Sequence, residues 1–270
     1  MSKAFYNFVT EPKDMLGYGV EYSWMWQDFD KLGDALVKAG VNMTRVEMFG
    51  CASTANHNES SHGLWCDHWP IVARHATFFL DAMKARKITT EVCIAGWNFQ
   101  GGCPDPDNGG KPSTVCSKRF GVEWFATIMQ FLAARGTEGL IIEAASEPYD
   151  ARNRQCDARF DRFTKQLEYY WDGAKSWNKG SRPKTAPEGY LLEYHPLKAK
   201  DKCEPGCIVL TDTSLGKTFD KPNGQIDPEK LIPYAKAVHD RGQGFVYYGH
   251  DFMAWKDIDV EGLKAIGGIA

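Results

Sequence analysis

Short apolar runs that are typical of buried strands alternate along the chain with segments of helical periodicity. In the segment 28–40, Phe29, Leu32, Leu36 and Val37 fall on one helical stripe, and Gly40 is a residue that commonly ends a helix. The same periodicity predicts helices over 70–87, 120–136, 157–177 and 227–242. Strands are predicted at 18–22, at 41–48, at 88–97, from 139 onward, and at 189–196, 207–212 and 244–252.

This repeated order of strand, helix and strand predicts an α/β fold with parallel strands and covering helices. Neither a G-x-G-x-x-G sequence nor a P-loop follows the first predicted strand, so the pattern favours a (β/α)8 TIM barrel over a nucleotide-binding open sheet. The 270 residues suit a single barrel domain spanning 1–270. We expect one β/α unit in the second half of the barrel to be irregular or missing.

Two counts of the later strands fit this pattern. In the first count, 189–196, 207–212 and 244–252 are the sixth, seventh and eighth strands, which leaves a fifth strand and a sixth helix unaccounted for. In the second count, these segments are the fifth, sixth and seventh strands, and 265–269 supplies the eighth. The sequence alone leaves both counts open.

The predicted strands end in polar and aromatic residues that a hydrophobic core would exclude. In a barrel, the strand ends and the loops that follow them form the face on which active sites lie. The long loops 51–69 and 98–116 belong to this face. Burying an isolated carboxylate costs several kcal/mol, so each one must be hydrogen-bonded, paired or protonated. The large number of acidic groups at this face therefore predicts a polar cleft. The residues concerned are Glu21, Arg45, Glu47, Trp97, Asn98, Glu143, Glu147, Glu193, His195, Asp212, His250, Asp251 and Trp255.

Several of these residues have a structural alternative. Arg45 and Glu47 could form an ion pair across the barrel end, and Glu21, Glu143 and Glu193 could support the site by hydrogen bonds or lie on the outer face. The tryptophans point to a ligand class, because an indole ring stacks on the apolar face of a sugar ring. Tryptophans beside carboxylates therefore indicate a carbohydrate-binding site.

Two motifs carry a resemblance to a known clan. The segment KAGVNMTRVEMFG (38–50) and the tripeptide Ser146-Glu147-Pro148 resemble the second and fourth strands of the (β/α)8 retaining glycoside hydrolases that include cellulases and mannanases. The resemblance implies that Glu147 is the general acid/base and that Arg45 positions the site. Ser146 stands where the clan usually has an asparagine that binds the sugar 2-hydroxyl.

The resemblance also implies a second carboxylate on the seventh strand. Under the first strand count this position is Asp212, which replaces the usual glutamate, and under the second count it is Asp251; Glu193 is a further candidate. A carboxyl separation of about 5–5.5 Å would give retention, and one of about 6.5–9.5 Å would give inversion. We expect the sugar to be held by Arg45, Trp97, Asn98, Glu193, His195, His250 and Trp255.

The leading hypothesis is therefore a glycoside hydrolase that cleaves a β-linked poly- or oligosaccharide with no cofactor and no metal. The alternative is a catalytically silent barrel that binds glycan, since Ser146 and the aspartate both depart from the clan pattern. A metal-dependent hydrolase using His57, His62, His68 or His250 is a third reading. These histidines lack H-x-H or H-E-x-x-H spacing, which argues against it.

Charge and cysteine content narrow the partners and the compartment. The net charge of −3 gives no basic footprint for nucleic acid, and no apolar run is long enough to span a membrane. No secretory signal is visible at the start of the sequence. Eight cysteines, most of them in loops, predict disulfides and an extracellular protein, although their pairing cannot be read from the sequence. Cys51 and Cys66 bracket one loop, Cys103 and Cys116 bracket another, and Cys203 and Cys207 lie close together in a third. We expect a monomer.

Overall fold

The barrel is formed by eight short strands distributed along the chain. The structure is a computed structural model that describes residues 3–6, 28–38, 40–46, 64–95, 104–105, 111–112, 120–145, 157–178, 186–194, 206–210, 219, 221, 227–248 and 264. The strands are β1 (Lys3–Tyr6), β2 (Met43–Val46), β3 (Thr89–Ala95), β4 (Leu140–Ala145), β5 (Ala174–Asn178), β6 (Tyr190–Tyr194), β7 (Ile208–Leu210) and β8 (Gly244–Tyr248).

All eight strands are parallel, and each pairs with its neighbours in chain order. The sheet closes because β1 pairs with both β2 and β8, with Tyr6 opposite Arg45 on one side and Tyr248 on the other. The fold is therefore the predicted α/β (β/α)8 barrel. A separate two-residue antiparallel pair, Pro104–Asp105 with Lys111–Pro112, lies in the connection that follows β3.

Within the described residues, five helices cover the outside of the sheet. They are α1 (Phe29–Lys38), α2 (Leu64–Ala85), α3 (Phe120–Ala133), α4 (Asp157–Tyr170) and α5 (Pro228–Asp240). The described parts of the connections after β5 and β6 contain no helix, as the prediction of an irregular second half requires. None of the described helices combines the length and the apolar character that crossing a membrane requires.

The fifth strand lies where the sequence pattern predicted the end of a helix. The helix predicted over 157–177 ends at Tyr170, and β5 begins at Ala174. Buried Trp171 fixes this change of direction, since its indole Nε1 donates a hydrogen bond to the Ala174 carbonyl oxygen at 3.0 Å. Gly173 suits the turn, because a Cβ there would lie 2.7 Å from the Thr137 side chain.

This strand decides between the two counts. With β5 at Ala174–Asn178, the segments 189–196, 207–212 and 244–252 contain the sixth, seventh and eighth strands, so the first count is confirmed and the second is wrong. The first strand was also misplaced: Lys3–Tyr6 completes the barrel, whereas the predicted strand at 18–22 lies outside the described residues.

The main hydrophobic core lies between the sheet and the helices. In α1, Leu32 and Leu36 are fully buried on the stripe that the sequence predicts, whereas Val37 is about half exposed. The rings of Phe125 on α3 and Phe163 on α4 stack with their centroids 4.8 Å apart. Strand residues that join this core include Val46, Val92, Ile94, Ile142, Ala144, Tyr194, Val209 and Phe245.

The cysteine prediction is partly overturned. Cys93 and Cys207 are buried thiols that form no disulfide bond. The expectation that the loop cysteines form disulfides is therefore wrong for Cys207, which packs in the hydrophobic core at the entry to β7. For Cys51, Cys66, Cys103 and Cys116, the expectation of disulfides concerns side chains that the structure does not describe.

Candidate active site

A charged group occupies the inside of the barrel. Successive side chains of a strand point to opposite faces, so in β4 the core residues Leu140, Ile142 and Ala144 face the helices, and Ile141 and Glu143 face inward. By the same alternation, Arg45 points inward from β2, Glu91 from β3 and Glu193 from β6. Their contacts across the barrel agree with this assignment. We call Arg45, Glu91, Glu143 and Glu193 the interior cluster.

The Arg45 guanidinium is the positive centre of the cluster. Its Nε donates a hydrogen bond to Glu143 Oε2 at 2.9 Å, and its Nη2 donates a second to the same oxygen. Arg45 Nε also lies 3.9 Å from Glu91 Oε2 and 3.7 Å from Glu193 Oε2. All four side chains are buried, so solvent screens these interactions very little.

The backbone places the cluster at one level of the barrel. Arg45 lies opposite Glu91 in the β2–β3 register, and Glu143 lies opposite Ser176 of β5. Asn178 of β5 lies opposite Glu193. Ser176 and Asn178 are buried, so the same layer continues as neutral polar groups between β4 and β6. The inside of the barrel is thus polar in this layer, although its outer face is hydrophobic.

The cluster contains more acidic than basic groups. The single guanidinium faces three carboxyl groups, and its hydrogen bonds are made to Glu143. Burial, followed by the charges of Glu143 and Glu91, raises the pKa of Glu193 well above its ordinary value, and Arg45 opposes this shift only in part. Burial and the neighbouring negative charges therefore favour the protonated form of Glu193.

The three carboxyl groups also have the spacing of a possible cation site. One oxygen from each of Glu91, Glu143 and Glu193 lies within 4.8 Å of the others, and carboxylate oxygens are suitable ligands for Ca²⁺ or Mg²⁺. However, the Oε2 atoms of all three residues already face Arg45. The guanidinium thus supplies positive charge in the place where a metal ion would bind.

The structure brings together two of the residues predicted for the site. Arg45 and Glu193 meet in the interior cluster, where the hydrogen-bonded partner of Arg45 is Glu143. The ion pair predicted for Arg45 was with Glu47, which lies outside the described residues. Glu143 supports Arg45 from inside the barrel and does not lie on its outer face. The other predicted residues lie outside the described part of the chain: Glu21, Glu147, Asp212, Asp251, Trp97, Asn98, His195, His250 and Trp255.

Glu91 is the member that sequence reasoning missed. It lies in the middle of β3, between Thr90 and Val92, and it is fully buried. The available signal was its position: a glutamate inside a strand of a parallel barrel must be buried on one face or the other, because both faces are covered. Glu143 in β4 shows the same signal.

The strand ends relate this cluster to the predicted catalytic residues. Parallel strands place all their carboxyl ends on one face of the barrel. Glu147 follows the end of β4 closely in the sequence, and Asp212 follows the end of β7. With the strand count settled, Asp212 is the acidic residue next to the end of the seventh strand, and Asp251 follows the eighth.

Solved structures with a similar fold are glycoside hydrolases of family GH5. A mutant GH5 lichenase from Caldicellulosiruptor sp. F32, in complex with cellotetraose, has a TM-score of 0.57 and 13% identity over 99% of this chain and 92% of its own. A tri-modular GH5 endo-β-1,4-glucanase from Bacillus licheniformis has a TM-score of 0.53 and 11% identity over 99% and 59%. A Bacteroidetes-affiliated GH5 cellulase has a TM-score of 0.52 and 12% identity over 98% and 90%.

Comparison of sequences alone does not detect this similarity to glycoside hydrolases. No family model matches the chain, and no curated protein matches it. At these low identities the structural likeness shows the fold, in agreement with the resemblance that the motifs at 38–50 and 146–148 suggested. The chain thus has a (β/α)8 fold similar to that of the GH5 glycoside hydrolases.

Proposed function

We propose that this protein is a glycoside hydrolase that cleaves a β-linked poly- or oligosaccharide, with β-glucans as the first substrates to test. The fold supports this proposal, since the similar structures include a lichenase, an endo-β-1,4-glucanase and a cellulase. The carbohydrate ligand is supported by the cellotetraose complex of the lichenase. We further propose a monomeric single-domain enzyme that acts outside the cell, where such polymers are found.

The observation that carries the proposal is the buried ion pair between Arg45 and Glu143. It joins β2 to β4 inside the barrel, just before β4 leads to Glu147. A catalytic carboxyl group must be held close to its productive geometry, and rigid supporting residues provide that restraint. The ion pair would fix the end of β4 and thereby position the proton donor.

In the proposed mechanism, Glu147 protonates the glycosidic oxygen of the leaving sugar. Asp212 is the second carboxylate, acting as nucleophile or as the base that activates water. The strand count supports Asp212 over Asp251, because Asp212 follows β7, which is the strand that carries the nucleophile in the clan that the sequence resembles. An aspartate has one methylene group fewer than a glutamate, so the carboxyl separation decides between retention and inversion.

The remaining predicted residues would bind the sugar. Trp97 and Trp255 would stack on sugar rings, and Asn98, His195 and His250 would donate or accept hydrogen bonds at hydroxyl groups. Arg45 and Glu193 are buried, so in this proposal they support the site from below and do not contact the sugar. This assigns to them a narrower role than the sugar-holding role that the sequence suggested.

The test compares three single variants: E147Q, D212N and D251N. Release of reducing ends from lichenan, carboxymethylcellulose and mannan should fall by about a hundredfold or more in E147Q and D212N, the order expected for losing acid/base catalysis. It should change little in D251N. The matched control is E138Q, because Glu138 is exposed and precedes β4 at the opposite end of the barrel. Undiminished turnover in E147Q would remove Glu147 from catalysis.

Titration calorimetry with cellotetraose separates the enzyme from the glycan-binding alternative. Binding of the oligosaccharide with no product after long incubation would support a silent binding module. Loss of activity on treatment with a chelator would instead support the metal-dependent reading.

A further inference from the structure

Glu91 and Glu193 form a buried pair of carboxyl groups whose oxygen atoms accept no hydrogen bond. Glu91 lies on β3 and Glu193 on β6, and their side chains meet inside the barrel. None of the four oxygens receives a hydrogen bond from a described residue. Buried polar atoms in native proteins are almost always satisfied, so this pair requires an explanation.

Arg45 does not supply the missing hydrogen bonds. Its Nε lies 3.9 Å from Glu91 and 3.7 Å from Glu193, which is beyond hydrogen-bonding distance, and both Nε and Nη2 donate to Glu143. The charge balance gives the same result. With Glu143 neutralised by Arg45, two ionised carboxylates would remain side by side in a site that excludes water.

Two adjacent buried carboxylates cannot both keep their charge at low cost. Burial disfavours each ionised form, and the like charge of the neighbour disfavours it again. One proton held between them removes one charge and supplies one hydrogen-bond donor. The first effect lowers the repulsion, and the second satisfies an oxygen atom of the partner.

We propose that Glu91 and Glu193 share one proton, with Glu193 as the carboxylic acid that donates a hydrogen bond to the Glu91 carboxylate. The pair is then a neutral-acid and anion couple that positions Arg45 over Glu143. The raised pKa of Glu193 agrees with this assignment and with its largest cause, burial. The part of the proposal that concerns catalysis rests on the proposed function; the protonation of the pair does not.

Among the described groups that face the pair from the neighbouring strands, Arg45 is the only cation. They are Arg45 from β2, Cys93 beside Glu91 on β3, Glu143 from β4, Ser176 and Asn178 from β5, and Ile208 from β7. Of these, Arg45 and Glu143 carry charge and are already paired. A proton is therefore the simplest partner for the remaining carboxyl groups.

The proposal predicts the sign of a pH effect on stability. The folded protein keeps the proton of Glu193 above pH about 4.3, where an unfolded chain releases it. Stability therefore falls as pH rises from this value towards the folded pKa of Glu193. In E193Q the amide is neutral at every pH and still donates to Glu91, so this part of the pH dependence should disappear.

The experiment measures urea unfolding of the wild type and of E193Q between pH 5 and pH 9. The unfolding equilibrium constant of the wild type divided by that of E193Q should rise with pH, by up to about tenfold per pH unit, because the wild type loses stability and E193Q does not. E143Q is the internal contrast. It removes the anion that Arg45 requires, and it should destabilise the fold across the whole range. E138Q at the exposed Glu138 is the surface control.

Infrared spectroscopy provides a readout that needs neither activity nor a stable variant. The wild type at pH 7 should show the C=O stretching band of a protonated carboxylic acid, and E193Q should lack it. If E193Q does not fold, E91Q can be used instead, because it removes the carboxylate that accepts the hydrogen bond from Glu193. The presence or absence of the band in the wild type still tests whether the pair holds a proton. Absence of the band, or an E193Q variant as unstable as E143Q at every pH, would overturn the proposal.

A metal ion is the competing explanation and has a distinct result. If Ca²⁺, Mg²⁺ or Mn²⁺ filled the site, treatment with EDTA would lower the unfolding midpoint and the added ion would restore it. We expect no change on either treatment. Inactivity of the wild type on all glycans would refute the proposed function alone, because the protonation of the pair is measured by unfolding and by infrared spectroscopy.

Discussion

Arg45 directs two of its nitrogen atoms, Nε and Nη2, at one oxygen atom, Oε2 of Glu143, inside a barrel whose two strands β2 and β4 are not neighbours. The strand between them, β3, adds Glu91 to the same group. One arginine thus ties three strands together from within. Removal of the Arg45 side chain should therefore destabilise the fold more than the loss of an ordinary surface ion pair.

The variant R45M should lower the free energy of unfolding by about 3–5 kcal/mol, because it leaves buried carboxyl groups without their cation. Urea unfolding at pH 7 measures this loss. The matched control is R135M, since Arg135 pairs with the exposed Asp81 on the surface. Exposed pairs contribute about 0–1 kcal/mol. A loss of similar size in both variants would contradict the central role of Arg45.

Gly139 provides a second test, at the entrance to β4. Its φ is +73°, a left-handed conformation that disfavours side chains with a Cβ, and its carbonyl oxygen accepts a hydrogen bond from Thr90 N at 2.8 Å. We expect G139A to destabilise the protein by about 1–2 kcal/mol, and G139N to cost less because asparagine tolerates this conformation. Thermal unfolding compares them with E138A next to it. Equal midpoints for all three variants would argue against the strain.

The stacked rings of Phe125 and Phe163 link helices α3 and α4. Their planes are 3° apart, and both side chains are buried. A double-mutant cycle with F125L and F163L should give a coupling energy of about 0.5–1.5 kcal/mol beyond the area that the rings bury. Purely additive losses would show that the contact is ordinary packing.

Asp28 begins helix α1 with a side-chain cap. Its Oδ1 accepts a hydrogen bond from Lys31 N at 3.0 Å, and this bond and the Lys31 side chain lower the pKa of Asp28. The variant D28A should cost about 1 kcal/mol at pH 7, and D28N, which keeps the acceptor, should cost less. Because the pKa of Asp28 is lower in the folded protein than in the unfolded chain, its negative charge stabilises the fold at a pH above the unfolded pKa. This stabilisation is lost as the pH falls through the folded pKa. Urea unfolding at pH 7 and pH 3 checks both statements; equal losses in D28A and D28N would contradict the cap.

The sequence predicted the outer architecture of the barrel well. Helices such as α1 and α5 have a one-sided apolar stripe, and strands such as β3 and β4 are short, mostly apolar segments that each contain one glutamate, so the sequence pattern identifies both. Strand β5 lacks this signal. Its first residues are exposed or half-buried, and Trp177 is its one large buried apolar side chain, so the segment continued the preceding helix pattern.

The site was predictable only in part, for a related reason. Arg45, Glu143 and Glu193 were noticed because charged residues interrupt apolar strands. Their partners could not be assigned, because pairing inside a barrel depends on register across strands that are far apart in sequence. Glu91 was missed because one glutamate in a strand normally marks the solvent side, and a closed parallel barrel has no such side.

Cys93 gives this arrangement a practical use. It lies on the same face of β3 as Glu91 and opposite Glu143 in the register, whereas Cys207 packs among the outer apolar side chains. One sheet thus has a buried thiol on each side. Alkylation of each thiol, followed by mass spectrometry of its peptide, would time the opening of the two layers separately. The order in which the two thiols react would show whether the charged interior of the barrel or the apolar layer between the sheet and the helices opens first.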